Sequence, residues 1–568
     1  MHNRKYRRKH RVWVLIFICV AILLSLWSWF RISININPPA IADCSADTLQ
    51  VERLPGDVSR CGNSWLKRDS SGLWLMYLKG SPYERGFTNG KLSEKLIYWQ
   101  EKAFVDQIRK MIPSDFYLKF LKYFIYWFNR DLDKNVPLEF KQEIYGISRS
   151  ASYDFAFIGT NYQRMLNYHS AHDIGHALEQ LSLVGCTSFG VWGNSSADGS
   201  LIIGRNFDFY MGDEFARNKI ICFEEPDSGH AFMMVTWGGM AGAVSGMNEE
   251  GLTVTINAAK SKIPFSARTP ISLLAREILQ YATTINEAYT IAEKRHIFVS
   301  ESLLIGSAKD GRAAIIEKTP YRIALVESQS ASILCTNHFQ SPLFSTDPLN
   351  IENLRDNASK YRFGRLKQDI QQKSPLDVED VAEILRDKAG INNARIGLGN
   401  EKAINQLIAH HSIIFKPSER LVWVSADPWQ IGSYKCFNLR KIFHNFAASN
   451  QGVDIEDKTR RIPPDVFLYS AGYKAFLEFG SMKRILREHI VKRMALQNES
   501  SFISAFIHTN PEFYESWLLA ADYFHATKNI ALARSYYYHA LGCEVPRWQE
   551  KKRIISRIAE CNTVLLKK

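Results

Sequence analysis

The chain has little cysteine and no closely paired cysteines. Nine cysteines occur in 568 residues, and no two of them stand in a Cys-x-x-Cys spacing. This excludes a disulfide-dense miniprotein and argues against a zinc-ribbon site. Proline (19) and glycine (32) are also moderate, while 46% of the residues are hydrophobic. The composition therefore excludes collagen-like and disordered chains, and the length predicts about two to four domains around a large core.

The positive charge is confined to the two ends of the chain. The net charge is +13, but residues 1–11 hold six Lys/Arg and no acid, and residues 459–568 are also net basic. Residues 12–458 carry equal numbers of acidic and basic side chains. Because recognition of a polyanion needs clustered cations, the neutral centre predicts that nucleic acid is not a partner.

An uncharged apolar run from Trp13 to Phe30, closed by Arg31, follows the basic arm. Its length as a helix nearly matches the hydrocarbon thickness of a bilayer. By the positive-inside rule we expect residues 1–12 to be a cytoplasmic arm and 13–30 a transmembrane signal anchor, with the rest of the chain on the exported side. A cleavable signal peptide is the alternative, since Ala40-Ile41-Ala42 resembles a cleavage site. Both interpretations export the remainder of the chain.

The pattern beyond the anchor predicts an α+β protein with strand layers packed against helices. Residues 31–64 read as a tether, in which Cys44 and Cys61 are close enough to form a disulfide. Residues 65–185 are largely helical in pattern. Short β runs separated by turn residues follow from Thr187, interrupted by helical stretches near 270–295 and 353–388.

A separate helical tail is expected over residues 463–568. Part of it matches the tetratricopeptide pattern of a helix-turn-helix, with the residues Trp517, Ala521, Phe524, Ala533, Tyr537, Ala540 and Pro546. One repeat cannot bury its own apolar face. The tail is therefore either a degenerate repeat pair, with residues 463–508 as partner, or a helical hairpin docked on neighbouring helices. A protein partner for this tail is a hypothesis.

Three histidines, His169, His172 and His176, lie close together in the sequence and form a candidate metal-binding cluster. A zinc-protease motif would need Glu after His172, but the next residue is Asp173. We therefore predict solvated or locally bonded histidines, and neither a metal ion nor a cofactor.

Five sequence blocks carry a family resemblance. They are Gly80-Ser81-Pro82-Tyr83-Glu84-Arg85-Gly86, Gly185-Cys186-Thr187-Ser188-Phe189-Gly190, Gly204-Arg205-Asn206-Phe207-Asp208-Phe209, Gly246-Met247-Asn248-Glu249-Glu250-Gly251-Leu252 and Cys335-Thr336-Asn337-His338-Phe339. In this order they resemble the N-terminal-nucleophile (Ntn) hydrolases of the choloylglycine hydrolase group, and within it the acyl-coenzyme A:6-aminopenicillanic acid acyltransferase branch. The resemblance runs from about Leu73 to Trp429. It implies a four-layer αββα sandwich made of a pro-segment, 65–185, and a catalytic chain, 186–445.

A cut between Gly185 and Cys186 would give the cysteine its own base. The new α-amine has a reference pKa of about 7.7–8.0, so it accepts a thiol proton near neutrality. Glycine at 185 leaves room for the thiol to attack its own upstream carbonyl, in an N→S shift whose ester water then cleaves. The alternative for Cys186 is a small buried hydrophobe at the start of a strand.

The resemblance also implies the remaining site residues. Asp208 would bond the α-amine of Cys186, and Arg205 would stabilise the thiolate and lower its pKa. Asn257 matches the oxyanion-hole asparagine, Asn337 a second polar residue, and Arg362 a late active-site arginine. The structural alternatives are a surface ion pair for Arg205 and Asp208, a turn residue for Asn257, and a helix-surface cation for Arg362.

These residues predict an autoproteolytic cysteine amidohydrolase that cleaves a linear amide C–N bond through an acyl-thioester on Cys186. The expected substrate is a small N-acyl amide or a lipid-like molecule, since an exported site disfavours cytosolic acyl-coenzyme A. Three alternatives remain: acyl transfer to an amine, a phospholipase B-like lipid hydrolase, and an inactive scaffold whose tail binds a partner.

Overall fold

The computed structural model describes residues 2–112, 114–170, 173, 185–209, 213–260, 262, 264, 267–446 and 454–566. Of the histidine cluster, His172 and His176 lie outside these residues. The strands in chain order are β1 Val51–Leu54, β2 Val58–Cys61, β3 Ser64–Arg68, β4 Trp74–Gly80, β5 Thr187–Val191, β6 Ile202–Phe207, β7 Ile220–Pro226, β8 Phe232–Thr236, β9 Ser245–Asn248, β10 Leu252–Ala259, β11 Ser300–Ser307, β12 Arg312–Lys318, β13 Ile323–Val326, β14 Ser332–Cys335, β15 His411–Lys416, β16 Leu421–Ser425 and β17 Tyr434–Asn438.

Along the chain, α-helices precede, interrupt and follow the strands. In chain order they are α1 His2–Ser33, α2 Pro82–Met111, α3 Asp115–Phe128, α4 Leu138–Ser148, α5 Asn161–His169, α6 Asp213–Ala216, α7 Ile271–Tyr281, α8 Ile285–Lys294, α9 Pro348–Asp356, α10 Ser359–Lys373, α11 Val378–Leu385, α12 Leu439–Lys441, α13 Ala471–Lys492, α14 Glu499–Thr509, α15 Tyr514–Ala526, α16 Ile530–Gly542 and α17 Trp548–Leu566. The content is therefore mixed α+β, as predicted.

Helix α1 is the one described helix long and apolar enough to span a membrane. The span covers His10–Ser33, with a mean hydropathy of 2.5. Its C-terminal end packs on α3, where the rings of Trp27 and Tyr123 lie 5.9 Å apart and those of Trp29 and Trp127 lie 5.6 Å apart. The candidate span therefore contacts the domain that follows it.

The described strands form two sheets. An 11-stranded sheet has the order β1-β2-β3-β4-β7-β8-β9-β10-β11-β12-β13, antiparallel except for the parallel pair β4–β7. A six-stranded sheet has the order β14-β5-β6-β15-β16-β17. Within it Ser188 of β5 lies opposite Arg205 of β6, and Thr187 lies opposite Asn206. This register brings the start of β5 next to the Arg205 block.

Three apolar cores hold the sheets and helices together. One is built from both sheets and includes Tyr77, Phe223, Ile203, Ile413 and Val424. Another joins the 11-stranded sheet to α2, α4 and α7, with Leu96, Ile144, Ile256 and Leu274. A third joins the six-stranded sheet to α10 and α11, with Phe189, Ile202, Leu366 and Val381. The central strands of each sheet are thus buried on both faces.

Helices α2 and α4 cross at two glycines. A Cβ atom on Gly86 would lie 1.9 Å from the carbonyl oxygen of Glu143, and one on Gly146 would lie 2.4 Å from the backbone nitrogen of Phe87. Only glycine permits this approach of two backbones. The Gly80–Gly86 block therefore has a packing role.

A buried ionic cluster lies beside this crossing. Arg85 donates to Glu143 at 3.0 Å and to Glu224 at 2.7 Å, and Arg276 contacts the same two carboxylates at 3.3 and 2.6 Å. The four side chains come from α2, α4, β7 and α7, and at most 1% of each is exposed. The cluster therefore ties the helical segment to the 11-stranded sheet.

The prediction of a tether over 31–64 is wrong for its second half. Residues 51–54 and 58–61 form β1 and β2, which extend the 11-stranded sheet from β3. The sheet edge supplies backbone hydrogen bonds, and Val58 and Cys61 are buried there. The disulfide considered between Cys44 and Cys61 is not formed: Cys44 is exposed, Cys61 is buried, and both are free thiols.

The tail is helical, as predicted, and consists of α13–α17 around a core of its own. That core includes Phe479, Phe506, Tyr523, Phe524 and Tyr537. The tail also docks on the loop of residues 397–402. Asn510 exchanges two hydrogen bonds with the backbone of Leu398 at 3.0 and 2.9 Å.

His169, at the end of α5, is locally bonded, as predicted. Its Nε2 accepts the backbone N–H of Ala241 at 2.8 Å, so its Nδ1 donates to the carbonyl of Met165 at 2.8 Å. Burial lowers the pKa of His169 to about 4. The ring is therefore a neutral structural link between α5 and the loop after β8.

Candidate active site

Cys186 immediately precedes β5 and is completely buried, with 0% of its surface exposed. Its Sγ lies 3.8 Å from Nη2 of Arg205, which comes from the neighbouring strand β6. The structure therefore brings together the two residues that the sequence blocks placed 19 positions apart. The surface ion pair considered for Arg205 is excluded by its burial.

Arg205 is fixed by the backbone of the opposite sheet. Its guanidinium donates to the carbonyls of Val244, at 2.8 Å, and Ile256, and to the hydroxyl of Ser245. His411 of β15 in turn lies 2.8 Å from that hydroxyl through Nε2. Burial alone lowers the pKa of Arg205, but an arginine remains a cation at any physiological pH. The site therefore holds a rigid positive charge against the thiol.

Asp208 follows β6 and is also fully buried. Burial raises the pKa of its carboxyl to about 8, although Arg362 and Arg205 both act to lower it. Oδ2 of Asp208 accepts from Nε2 of Gln406 at 3.3 Å. Among the described residues Oδ1 has no hydrogen-bond partner. A cation placed beside Oδ1 would lower the pKa of Asp208 and so favour the ionised carboxylate.

The thiol of Cys186 is suppressed in the continuous chain. Burial raises the pKa of Cys186 to about 11; Arg205 acts to lower it, whereas Asp208 and Glu301 raise it further. The prediction of a lowered thiol pKa therefore does not hold before the chain is cut, because desolvation outweighs the arginine.

Asn257, Asn337 and Arg362 are connected through the ends of β10 and β14. Nη2 of Arg362 donates to Oδ1 of Asn337 at 2.6 Å, and Nδ2 of Asn337 donates to the carbonyl of Ala258 at 3.1 Å. Asn257 accepts from the hydroxyl of Ser188 at 2.9 Å and donates to the carbonyl of Cys335 at 3.2 Å. Asn257 lies within β10 and Arg362 is buried, so neither is the turn residue or surface cation considered as an alternative.

Sequence reasoning missed three side chains of this region. Gln406 donates to the carbonyl of Gly185 at 2.9 Å, Ser245 receives Arg205, and Glu301 of β11 is buried close enough to act on the charges of Cys186 and Arg205. Burial raises the pKa of Glu301 well above its usual range. Ser245 directly precedes the Gly246 block, and this position is the signal that could have identified it. Gln406 stands in a loop without a motif.

A family match supports the resemblance independently. Residues 195–428 match the family described as acyl-coenzyme A:6-aminopenicillanic acid acyl-transferase. The recognition made from the sequence blocks is thereby confirmed over the part of the chain that holds Arg205, Asp208, Asn257, Asn337 and Arg362. The match begins nine residues after Cys186.

Two curated relatives align with part of this chain. An uncharacterised protein of Archaeoglobus fulgidus is 27% identical over 276 residues, which are 45% of this chain and 45% of the relative. The N-acylethanolamine-hydrolyzing acid amidase of Caenorhabditis elegans is 24% identical over 241 residues, which are 39% of this chain and 61% of the relative. The chain thus spans about half the length of the curated relatives it matches.

Two solved structures also align with it. The Caenorhabditis elegans N-acylethanolamine-hydrolyzing acid amidase ortholog aligns with a TM-score of 0.30 and 17% identity, over 41% of this chain and 93% of that chain. A mutant of the conjugated bile acid hydrolase from Clostridium perfringens aligns with a TM-score of 0.32 and 12% identity, over 45% and 93%.

Proposed function

We propose that this chain is a self-processing cysteine Ntn amidohydrolase that cleaves a linear amide C–N bond, with Cys186 as its nucleophile. The observation that carries the proposal is the burial of Cys186, Arg205 and Asp208 together where β5 and β6 pair. One curated relative is named as an acid amidase, and the description of the matching family supports acyl chemistry.

Self-processing would convert a suppressed site into an active one. Cutting the Gly185–Cys186 bond creates an α-amine beside the carboxyl of Asp208, whose Oδ1 is without a partner among the described residues. The protonated amine would return the pKa of Asp208 toward its ordinary value, and the neutral amine would accept the proton of the thiol. Because Cys186 is fully buried beforehand, the cut also has to open a path for the substrate.

In the catalytic cycle the thiolate would add to the substrate carbonyl. The C–N bond then breaks as the amine leaves with a proton from the α-ammonium of Cys186, and an acyl-thioester remains on Sγ. Water, deprotonated by the α-amine, releases the carboxylic acid and restores the thiol. Arg205 stabilises the thiolate, and Asn257, once its amide turns from the Cys335 carbonyl, is the candidate donor to the oxyanion.

We extend the proposal to the chain's organisation. The core shared by the two sheets and the two outer helical cores support a four-layer αββα sandwich. The apolar span of α1 supports a membrane anchor. The six Lys/Arg side chains within residues 1–11 support an orientation with the catalytic domain on the exported side. A tetratricopeptide-like character of α13–α17 rests on the pattern of residues 511–546.

Acyl transfer is the second candidate, because the matching family is described as an acyl-transferase. It shares the acyl-thioester and differs only in whether water or an amine takes the acyl group.

Purified enzyme should therefore release free acid from some N-acyl amides of a panel of N-acyl amino acids, N-acyl amines and conjugated bile salts. Product analysis with and without millimolar amine separates the two candidates: hydrolysis gives free acid in both cases, whereas transfer diverts product into a new amide. A purified, cut enzyme that releases no acid and forms no amide from any panel member would contradict the proposal.

A further inference from the structure

We infer that Gln406 is a catalytic residue of the self-processing step, in which its side-chain amide stabilises the oxyanion that forms on the carbonyl of Gly185. The inference rests on the proposed function, since it concerns how the Gly185–Cys186 bond is cut. It starts from the contact between Nε2 of Gln406 and the Gly185 oxygen, which is 2.9 Å long.

The orientation of this amide is determined by its partners. Nε2 faces two acceptors, the Gly185 carbonyl and Oδ2 of Asp208 at 3.3 Å, so the nitrogen and not the oxygen must point there. A donor at hydrogen-bond distance from the scissile carbonyl polarises it, and it is already in place when negative charge develops on that oxygen.

Gly185 fits this arrangement and larger residues do not. A Cβ atom at position 185 would lie 2.7 Å from Nε2 of Gln406 and 2.9 Å from its Oε1. The backbone N–H of Gly185 also donates to the carbonyl of Asp208 at 2.8 Å. The scissile glycine is therefore held from both sides, next to the thiol that attacks it.

The loop that presents Gln406 is itself fixed. Asn405 donates to the carbonyl of Arg386 at 3.2 Å and accepts the N–H of Leu407 at 2.9 Å. Leu407 has a φ of +54°, a left-handed conformation that is costly for a bulky residue. Such strain persists only where the surroundings enforce it, so the backbone next to Gln406 is held in one conformation.

Cutting the Gly185–Cys186 bond consumes one water in total. The thiolate of Cys186 adds to the Gly185 carbon, the electron pair moves onto the oxygen that faces Gln406, and the C–N bond breaks. The released nitrogen takes up the proton that the thiol lost and becomes the α-amine of Cys186. Water then hydrolyses the thioester, leaving a carboxylate on Gly185 and a thiol on Cys186.

The test is the rate of cutting in pulse-labelled full-length chain. Gln406→Ala should slow the appearance of fragments about 10²-fold, the usual effect of losing one oxyanion donor. Gln163→Ala is the matched control, because this buried glutamine also donates to a backbone carbonyl, that of Ile34 at 2.6 Å. It should cut at the wild-type rate.

The outcomes separate the inference from the proposed function. Normal cutting of Gln406→Ala would overturn the role of Gln406 alone, and equal slowing in Gln163→Ala would reduce it to a general loss of stability. An uncut wild-type chain would overturn the proposed function itself.

A different set of contacts leads to a second proposal: we propose that the tail is a positioning element of the active site, acting through Arg547. The guanidinium of Arg547, between α16 and α17, donates to both carboxylate oxygens of Glu401, from Nε at 2.7 Å and from Nη2. The backbone carbonyl of the same Glu401 accepts from Nη1 of Arg362 at 2.8 Å. Three neighbouring contacts, from Asn400, Lys402 and Asn510, fix the rest of this loop to the tail.

The chain of contacts from Arg547 through Glu401 ends at the candidate active site. Arg362, held by Glu401, donates to Asn337 at 2.6 Å, and its charge acts on Asp208 and Cys186. Loss of the Arg547 pair would release the Glu401 side chain, while the neighbouring contacts still hold the loop to the tail. The carbonyl of Glu401 would then fix the Arg362 guanidinium less tightly relative to Asn337. This proposal too rests on the proposed function, because it is read out through amide turnover.

Arg547→Ala should lower kcat/KM about tenfold in correctly cut enzyme, the usual scale of coupling through a contact network. Arg547→Lys, which keeps one contact, should recover part of the loss. Arg553→Ala is the control, since it removes an ion pair with Asp522 inside the tail. Wild-type turnover in Arg547→Ala, or an equal loss in Arg553→Ala, would overturn the positioning role. An inactive wild type would instead overturn the proposed function.

Discussion

Replacing Cys186 with alanine is expected to abolish both cutting and turnover, leaving a single chain of 65.1 kDa. The substitution removes the only group proposed to attack the Gly185 carbonyl and, after cutting, the substrate. The fold should persist, because a small buried side chain is exchanged for another. Denaturing electrophoresis and an amide hydrolysis assay measure the two losses.

A second buried cysteine provides the control for this variant. Cys436 lies in β17 of the same six-stranded sheet and is free. Cys436→Ala should be cut and should turn over substrate as the wild type does. Cutting in Cys186→Ala would show that another group performs the attack, and unchanged single chains in all three proteins would favour an inactive scaffold.

The largest expected loss of stability follows from Glu143→Ala. Although burial acts to raise it, Arg276 and Arg85 hold the pKa of Glu143 below its usual range, so this carboxylate is charged in the core. Removing it leaves two buried guanidinium groups with Glu224 alone, and breaking a buried ion pair in this way costs about 3–5 kcal/mol. Chemical denaturation of the purified protein in detergent measures the change.

Glu94→Ala is the matched control on the neighbouring helix. Glu94 is exposed on α2, so its loss should change the free energy of unfolding by less than about 0.5 kcal/mol. Equal stability of the Glu143 and Glu94 variants would contradict the view that this cluster joins the helical segment to the 11-stranded sheet.

The strands after Thr187 could be predicted because they are short β-type runs that turn residues separate from one another. The region of short β runs predicted from Thr187 onward contains the strands from β5 to β17. The strands β1 and β2 could not, since their short, polar pattern acquires a partner only when β3 presents its edge. Their stability comes from long-range pairing and burial rather than from local sequence.

The candidate site also contains residues that the sequence predicts and residues that only the folded chain reveals. Motif blocks lead directly to Cys186, Arg205 and Asp208, which lie in or next to the paired strands β5 and β6. Gln406 contacts Gly185 across 221 positions and has no motif of its own, so only the folded chain reveals it. The direction of the Cys186 pKa shift also needed the structure, because it depends on whether burial or the Arg205 charge is the stronger influence.

The N-terminal sequence of the fragments formed by the purified wild-type protein tests the central claim most directly. The account predicts two fragments, one ending at Gly185 and one beginning at Cys186. Their intact masses should add up to the mass of the uncut chain plus one water. A single uncut chain with full amide hydrolase activity, or a catalytic fragment that begins at any other residue, would contradict it.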